Sequence, residues 1–366
     1  MKERLQGSDY RFIAICLGLL AVTTWYAAGN FFRAFPEASI DFRVNRADGE
    51  GLAAQFLSEQ QYNTSGYRQA SRFSYDDETK TFLEREFGLE RANQLMGARI
   101  RLWRWSYRWF RPQQKEEYRA EITPKGEVAG FEHVIAEDAA RADVAAEQAR
   151  AMAEEFLRTR MRRAPESLDF VEESDTVRPK RTDRTFTWKE RDFELHDATY
   201  RVAVTVLGNE IGGYSEYLKV PEQWSRDYER LRSRNSAAST VDLAVTLVLL
   251  VGLVAVIVIR VRRQDIRWRR AGVIALIGMA LSFCASMNQF PLREFDYPTT
   301  DAYGSFLMRQ LLQALGSALG AGGLLFLLTA GAEPLYREAF PDKISLGSLF
   351  RARGLRTKRF FLGAIL

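Results

Sequence analysis

Four apolar stretches, each of about 20 residues, constrain this chain more than any other feature of its sequence. They cover residues 12–32, 241–259, 271–290 and 310–332, and only the second carries an acid, Asp242 near its start. The hydrocarbon core of a bilayer is about 30 Å thick, which a helix of about 20 apolar residues spans. The pattern therefore predicts an α-helical membrane protein with four spans.

The average composition conceals a long polar block between the first and second spans. Mean hydropathy is −0.26 and 27% of the residues are charged, values that a uniformly apolar membrane protein does not have. Cys16 and Cys284 both fall in apolar windows, so the sequence offers the block 33–236 no disulfide framework and no thiolate zinc site. The block is long enough to bury a core without such cross-links.

The first apolar window has two interpretations. It follows Lys2 and Arg4, as the apolar region of a secretory signal peptide would. The apolar run, however, continues through Phe31 and Phe32, beyond the small-residue pattern at 27–29 where cleavage would be expected. This length favours an uncleaved anchor helix.

The distribution of arginine and lysine predicts the orientation of the spans, because cytoplasmic loops carry an excess of these residues. The loop 260–270 contains six arginines, and the N-terminal tip and the segment after the fourth span are also basic. The loop 291–305 has one arginine against three acids. We therefore expect the N-terminus, 260–270 and 333–359 to be cytoplasmic, and 33–236 and 291–305 to be extracytoplasmic.

The arginine-rich loop also has a second interpretation, as a patch for nucleic acid or anionic lipid. Membrane orientation already explains its sequence, RVRRQDIRWRR, and the same arginines explain the pI of 9.1. We therefore expect the lipid bilayer as a partner and no nucleic acid.

The last residues, FFLGAIL at 360–366, follow a basic segment as the start of a fifth span would. Seven residues do not cross a bilayer. The sequence is then either a fragment of a longer protein or a chain with a natural end, and the first alternative explains its ending better.

The polar block contains an internal repeat. EEYRAEITPKGEVAGFEHVI at 116–135 matches DATYRVAVTVLGNEIGGYSEYL at 197–218, and Tyr118, Gly126 and Gly130 align with residues 82 positions later. Each copy reads as a strand, a glycine turn and a second strand. The repeat predicts two similar β-hairpins.

Helical patterns precede the hairpins. AAQFL at 53–57 resembles AEEFL at 153–157, and the first copy has a further helical pattern at 77–96. Each copy thus reads as a helix laid on an antiparallel sheet.

Each copy also has an aromatic strand, in which large rings alternate with polar residues and so lie on one face of a sheet. The row is either a core face beneath the helix, which its size favours, or an exposed platform for a sugar or peptide. The rings are Trp103, Trp105, Tyr107 and Trp109 in the first copy, alternating with Arg104, Ser106 and Arg108, and Phe186 and Trp188 in the second.

These patterns predict an α-helical transmembrane protein with an inserted extracytoplasmic α+β domain made of two helix-plus-antiparallel-sheet repeats. Such a repeat resembles PepSY-type domains, which occur outside the membrane and are associated with peptidases. The expected organisation is residues 1–32 for the cytoplasmic tip and first span, 33–236 for the domain (repeats at about 37–136 and about 137–222), 237–332 for spans two to four, 333–359 for a basic linker and 360–366 for the start of a fifth span.

Few residues in the sequence carry recognisable chemistry. The two histidines, His133 and His196, have no partner at metal-ligand spacing, and no nucleophile elbow, phosphate-binding loop or dinucleotide fingerprint is present. Gly316, Gly320, Gly322 and Gly323 in the fourth span are interpreted as helix-packing positions. We therefore assign no catalytic, cofactor-binding or metal-binding residue within 1–366.

The segment after the fourth span reads AGAEPLYREAFPDKISLGSLFRARGLRTKRFFLGAIL. It resembles the stretch that leads into the catalytic core of bacterial CPBP-family intramembrane proteases, relatives of the type II CAAX prenyl endopeptidases. Glu333 and Arg337 imitate the family's EExxxR motif in part, but Ala332 stands where its first glutamate belongs and no histidine follows. We therefore expect Glu333 and Arg337 to form a helix-end salt bridge or interfacial anchors.

The resemblance implies a CPBP-like intramembrane metalloprotease of the bacterial cytoplasmic membrane, with its zinc-like metal and active site beyond Leu366. The chain would supply a sensing or substrate-presenting domain, with a peptide or protein substrate as partner, and accessory spans. The alternative is a non-enzymatic receptor or scaffold whose repeat domain binds a peptide or envelope component. A transporter is disfavoured, because no span carries paired charges at mid-depth.

Overall fold

The computed structural model describes residues 5–340 and 358–365. The helices are α1 (Gly7–Ala34), α2 (Arg46–Glu59), α3 (Asp77–Ala98), α4 (Ala146–Thr159), α5 (Glu222–Arg262), α6 (Trp268–Asn288), α7 (Phe290–Phe295), α8 (Tyr303–Ala339) and α9 (Lys358–Ile365). The strands are β1 (Arg68–Ser74), β2 (Arg104–Phe110), β3 (Glu117–Ile122), β4 (Val128–Val134), β5 (Leu168–Arg178), β6 (Arg181–Leu195), β7 (Ala198–Leu207) and β8 (Glu210–Lys219).

The chain forms two compact units. The first, here called the sheet unit, comprises Ser39–Ser236 and Ser286–Gln313. The second, the helical unit, comprises Met1–Ala38, Ala237–Ala285 and Ala314–Leu366. The segment between α6 and α8 thus belongs to the same unit as the sheet, although it lies far away in sequence.

Four helices are long and apolar enough to cross a membrane, counted over the residues described. They are Gly7–Phe32, Glu222–Arg262, Trp268–Phe295, which takes α6 and α7 together, and Tyr303–Ala339, and each contains one of the predicted windows. The chain therefore has helices compatible with a membrane protein, and their insertion and orientation stay predictions.

The C-terminal predictions fall partly on helices. α8 continues to Ala339 with Pro334 inside it, so the first residues of the predicted linker are helical. α9 covers the predicted start of a fifth span. The rest of the linker, 341–357, lies outside the described residues.

The strands form one antiparallel sheet of eight strands in the order β1-β2-β3-β4-β8-β7-β6-β5. Each half is a four-stranded meander, and the two predicted hairpins are β3–β4 and β7–β8. The predicted repeats are thus two halves of one continuous sheet, joined where β4 pairs with β8.

The pairing at this join is nearly symmetric. Phe131 lies opposite Tyr214, with Gly130 opposite Ser215 on one side and Glu132 opposite Gly213 on the other. If the two halves are related by a twofold axis at this join, exchanging β4 and β8 must leave the pairing unchanged. This requires each β4 residue to be equivalent to the β8 residue 83 positions later. Gly130 therefore corresponds to Gly213, and its predicted match with Gly212 is one residue out of register.

The turn lengths explain the register difference. The β3–β4 turn closes with a hydrogen bond from the Thr123 amide to Glu127, whereas Leu207 pairs with Glu210 around a shorter turn. Gly126 and Gly208 both adopt positive φ, at 92° and 62°. Glycine is favoured there because it carries no Cβ, so the two turn glycines align in sequence although the flanking strands do not.

The aromatic row is core rather than an exposed platform. Trp103 and Trp109 are 6% and 5% exposed, and Trp105 is partly buried and donates a hydrogen bond to the Val44 carbonyl. Tyr107 is fully buried against Gly49 of α2, where a Cβ would collide with its hydroxyl. The interpretation of this row as the face beneath the helices is confirmed.

The core face carries two separate apolar clusters. One gathers α2, α4 and the rings of β2, β4 and β6, including Phe56, Phe156 and Phe186. The other packs the additional helix α3 against residues of β6, β7 and β8, including Phe82, Phe193 and Tyr200. The strand β7 alternates buried and partly buried residues, as a strand with one core face should.

In the helical unit, the close approach of neighbouring helices does not depend on Gly316 and Gly320, the glycines spaced four residues apart in α8. A Cβ at Gly322 would collide with Met279 of α6, and one at Gly331 with Leu253 of α5. A Cβ at Gly316 or Gly320 would meet no described atom within 4 Å. Gly322 and Gly331, together with Gly278 of α6, where a Cβ would collide with Leu325 of α8, are therefore positions where small size lets the helices pack closely.

Candidate functional site

The outer face of the sheet carries a buried arginine at β2. Arg104, Ser106 and Arg108 alternate with the aromatic row, as the sequence predicts. On a solvated face these residues would be exposed, yet Ser106 and Arg108 are each only 6% exposed. Arg108 is covered by the segment between α6 and α8, residues 289–302, which we call the connector.

Arg108 binds the connector through its backbone. Its Nη1 donates hydrogen bonds to the carbonyl oxygens of Phe295 at 2.6 Å and Tyr297 at 2.8 Å. Its Nε donates to Glu117 on β3 at 3.0 Å. A buried guanidinium is tolerated only when its charge is paired and its donors are satisfied, and this arrangement provides both.

Two arginines of β1 also bind the connector, from the same outer face of the sheet. Arg68 lies 2.8 Å from Glu294 and also stacks over the Tyr303 ring at 4.1 Å. Arg72 lies 2.8 Å from Asp296 and over the Phe295 ring at 4.3 Å. Both pairs are partly exposed, so we attribute orientation of the connector to them more than binding energy.

An apolar cluster completes the contact. Ala70 and Phe110 from the sheet pack with Phe295, Tyr297 and Phe306, and Tyr297 is fully buried. The rings of Phe110 and Tyr297 are 5.3 Å apart. The connector is therefore packed on the sheet as part of its structure.

In the sequence, the connector stands out only by its charge. Its acids, counted above as evidence for membrane orientation, include the two that pair with Arg68 and Arg72. The available signal was the match between an acidic connector and an arginine-rich strand on the same predicted side. Arg108 alternates with aromatic residues and gave no further indication of its partner.

A second charged cluster lies between the two apolar clusters of the core face. Glu216 of β8 is fully buried. It accepts hydrogen bonds from Arg101 at 2.7 Å and Arg163 at 2.6 Å, and from the hydroxyls of Tyr200 and Tyr214. Burial, reinforced by the Glu216 charge, raises the pKa of both tyrosines well above the ordinary value.

Two cavities of about 230 and 430 Å³ open beside this cluster, and Arg101 lines both. The larger also has Arg163 in its wall, together with apolar side chains of Ile40, Met96 and Trp103. Glu216 thus orients two guanidinium groups towards a partly apolar cavity. Such a surface suits a ligand that combines an apolar group with a carboxylate.

The two histidines have different surroundings. His133 is buried between Glu116 at 2.9 Å and Glu210 at 3.5 Å. His196 is exposed and stacks on Phe87, 3.7 Å from Glu86. Over the described residues, no group of three or more histidine, cysteine or acidic side chains is arranged to hold a metal ion.

Glu333 and Arg337 form the predicted salt bridge, with 3.2 Å between their charged atoms. Arg337 also lies 2.9 Å from Asp265, and Glu333 lies 3.4 Å from Arg267 and 3.6 Å from Arg270. The pair is therefore a member of an ion network with the arginine-rich loop. This confirms the predicted helix-end salt bridge.

Part of the chain matches a known family of protein domains. The family described as the YcdB, YcdC repeated domain matches residues 85–217. The matched segment runs from within α3 to near the end of β8, so it covers later parts of the first half and most of the second half of the sheet. No curated protein and no solved structure matches the chain.

Proposed function

We propose that this chain is the sensor portion of a multi-pass membrane protein, in which the sheet unit is coupled to membrane helices through the connector. The observation that carries this proposal is Arg108, which is buried between Glu117 and two connector carbonyls. A connector that only linked two spans would need no such anchor. The side of the membrane on which the sheet unit lies is taken, in this proposal, to be extracytoplasmic.

The input of this sensor is a peptide or another envelope component. Support comes from the cavity beside Arg101 and Arg163, whose lining is partly apolar and has more cations than acids, which suits a peptide with a free carboxylate. Arg101 and Arg163 are already paired with acids, so Arg99 and Lys125 in the same lining supply the excess positive charge. The helix-plus-sheet halves also have the pattern that resembles PepSY-type domains. Binding there would act next to Glu216, at the boundary of the two core clusters.

The proposed output of the sensor is proteolysis within the membrane, and its support is the C-terminal resemblance alone. A CPBP-like intramembrane metalloprotease would use the sheet unit to control or present its substrate. In this scheme Glu333 and Arg337 anchor α8 to the arginine-rich loop and take no part in hydrolysis. Glu333→Gln would then alter expression or insertion and leave any proteolysis by the complete protein intact.

Hydrogen exchange of the chain in lipid nanodiscs tests the coupling. The variant Arg108→Met removes the anchor, and Arg191→Met, which removes an exposed ion pair to Asp169, is the matched control. We expect Arg108→Met to raise exchange in the connector and in the adjoining ends of α6 and α8, and Arg191→Met to change neither. If the connector loosens while α6 and α8 keep their protection, the contact is an anchor only, as a scaffold would have.

A further inference from the structure

The two halves of the sheet are joined by a short strand pairing. Between β4 and β8 the paired residues are Gly130 to Glu132 on one strand and Gly213 to Ser215 on the other. The pairings within each half are longer. Side chains that cross the end of this junction therefore add to the shared apolar core in holding the two halves together.

His133 follows the paired residues of β4 directly and faces both halves. Its side chain is 3% exposed. Nε2 lies 2.9 Å from Glu116, in its own half, and Nδ1 lies 3.5 Å from Glu210 at the start of β8. The rings of Tyr62 and Tyr118 pack against the imidazole at 4.7 Å each, which fixes its orientation.

Nδ1 of His133 is buried without a hydrogen-bond partner in the described part of the chain. In a neutral imidazole that donates from Nε2 to Glu116, Nδ1 carries a lone pair that points towards the Glu210 carboxylate. The two groups then repel each other. A proton on Nδ1 converts this atom into a donor for Glu210 and places a positive charge between two carboxylates.

The other charged and titratable groups around His133 carry a net negative charge. Glu116 accepts hydrogen bonds from the hydroxyls of Tyr67 and Tyr118, which are neutral and do not compensate its charge. Arg141 pairs with Glu210 at 3.0 Å and is the cation of the cluster. Two carboxylates against one guanidinium leave one negative charge facing the imidazole.

The pKa values of both carboxylates, Glu210 and Glu116, are lowered. Once Nδ1 is protonated and donates to Glu210, His133 lowers the pKa of Glu210 to about 2, opposed by burial and helped by Arg141. Burial acts to raise the pKa of Glu116, but hydrogen bonds from His133 and Tyr118 hold it below the ordinary value. Both groups therefore stay charged while the imidazole gains its proton.

We propose that His133 is a proton-operated latch between the two halves of the sheet, closed when Nδ1 is protonated and bonded to Glu210. Imidazole is the side chain that changes charge between about pH 5 and 8. The latch is therefore closed on the acidic side of that range and opens as the pH rises. It lies at the β4–β8 junction, whereas the connector lies on β1 and β2, so the latch and the proposed coupling can fail separately.

NMR of histidine-labelled protein in nanodiscs tests the proton site, because the chain has only two histidines. The variant His196→Gln removes the exposed one and assigns the His133 signal. We expect Glu210→Gln to move the midpoint of the His133 titration to lower pH, since the facing charge is lost. An unchanged midpoint would overturn the latch.

Hydrogen exchange of β4 and β8, corrected for the intrinsic pH dependence of amide exchange, tests the opening. Between pH 5.5 and 8 we expect protection at this junction to fall by about tenfold in the unmodified chain, the worth of one charge-assisted hydrogen bond. The control His196→Gln should keep this fall, and both His133→Gln and Glu210→Gln should abolish it. Protection that is independent of pH, or a fall that persists in Glu210→Gln, would contradict the proposal.

Discussion

Nη1 of Arg108 lies 2.8 Å from the carbonyl oxygen of Tyr297, and this contact joins positions 189 residues apart in the chain. The same guanidinium is paired with Glu117 of the neighbouring strand. This side chain thus links the sheet to the connector between two apolar helices. This relationship underlies the proposed coupling of the sheet unit to the membrane.

Replacing Arg108 by Met should strongly destabilise the sheet unit, because Glu117 would remain buried without this partner. Breaking a buried pair costs about 3–5 kcal/mol. Thermal unfolding in nanodiscs should show a decrease of about 2–4 °C for each kcal/mol.

The double variant Arg108→Met/Glu117→Gln separates this penalty from the connector contact. It should recover part of the loss, since no uncompensated carboxylate is left, although Arg119 also contacts Glu117. A double variant as unstable as the single one would show that the lost connector contacts carry the whole effect.

Glu216→Gln should destabilise the sheet unit by about 3 kcal/mol, since Arg101 and Arg163 would lose their common buried anion. Glu132→Gln is the matched control, because that carboxylate is exposed and its pair with Arg119 is a surface pair. If chemical denaturation gives the same loss of unfolding free energy for both variants, Glu216 does not have the structural role assigned to it.

The pH dependence of stability should show the contribution of Glu210. Its folded pKa of about 2 is below its ordinary value of 4.5, so the stabilisation is present above 4.5 for as long as His133 carries its proton, and it is lost as the pH falls towards 2. The difference in unfolding free energy between the unmodified chain and Glu210→Gln should therefore shrink on acidification over this range. A difference that stays constant from pH 5 to pH 3 would contradict the assigned direction.

Orientation in the membrane can be tested by thiol labelling in intact cells, with Cys16 and Cys284 replaced by serine. Cysteines at Ser65 and Thr300, both exposed on the sheet unit, should react with an impermeant reagent. A cysteine at Gln264, in the arginine-rich loop, should react only after lysis. Labelling of position 264 in intact cells would reverse the predicted orientation.

The sequence allowed the apolar helices, the two hairpins and the aromatic core face to be predicted because each is a local pattern. The edge strands were missed for a physical reason. β5 is almost entirely exposed and carries acids at Asp169, Glu172 and Glu173, and β1 reads RQASRFS, so neither shows the alternation of a half-buried strand. Charged edges of this kind protect a sheet from pairing with other chains, and the same property obscures them in a sequence.

The candidate sites could not be predicted from local sequence. Glu216, His133 and Arg108 are ordinary polar positions in their strands, and their significance comes from partners brought together by the β4–β8 join and by the connector. His133 was noticed because histidine is rare here, yet its two carboxylates come from different halves of the sheet. Only the acidic connector gave a readable signal, and it was explained equally well by membrane orientation.

Cross-linking in native membranes tests most directly whether the connector is docked on the sheet. Cysteines at Arg72 and Asp296, whose side chains form an ion pair at 2.8 Å, should be joined by a short bis-maleimide in the background without Cys16 and Cys284. Ser174, an exposed residue of the opposite edge strand β5, paired with position 296 is the matched control. We predict efficient cross-linking of 72 to 296 and none of 174 to 296. Equal yields for the two pairs, or no cross-link between 72 and 296, would contradict docking of the connector on the sheet.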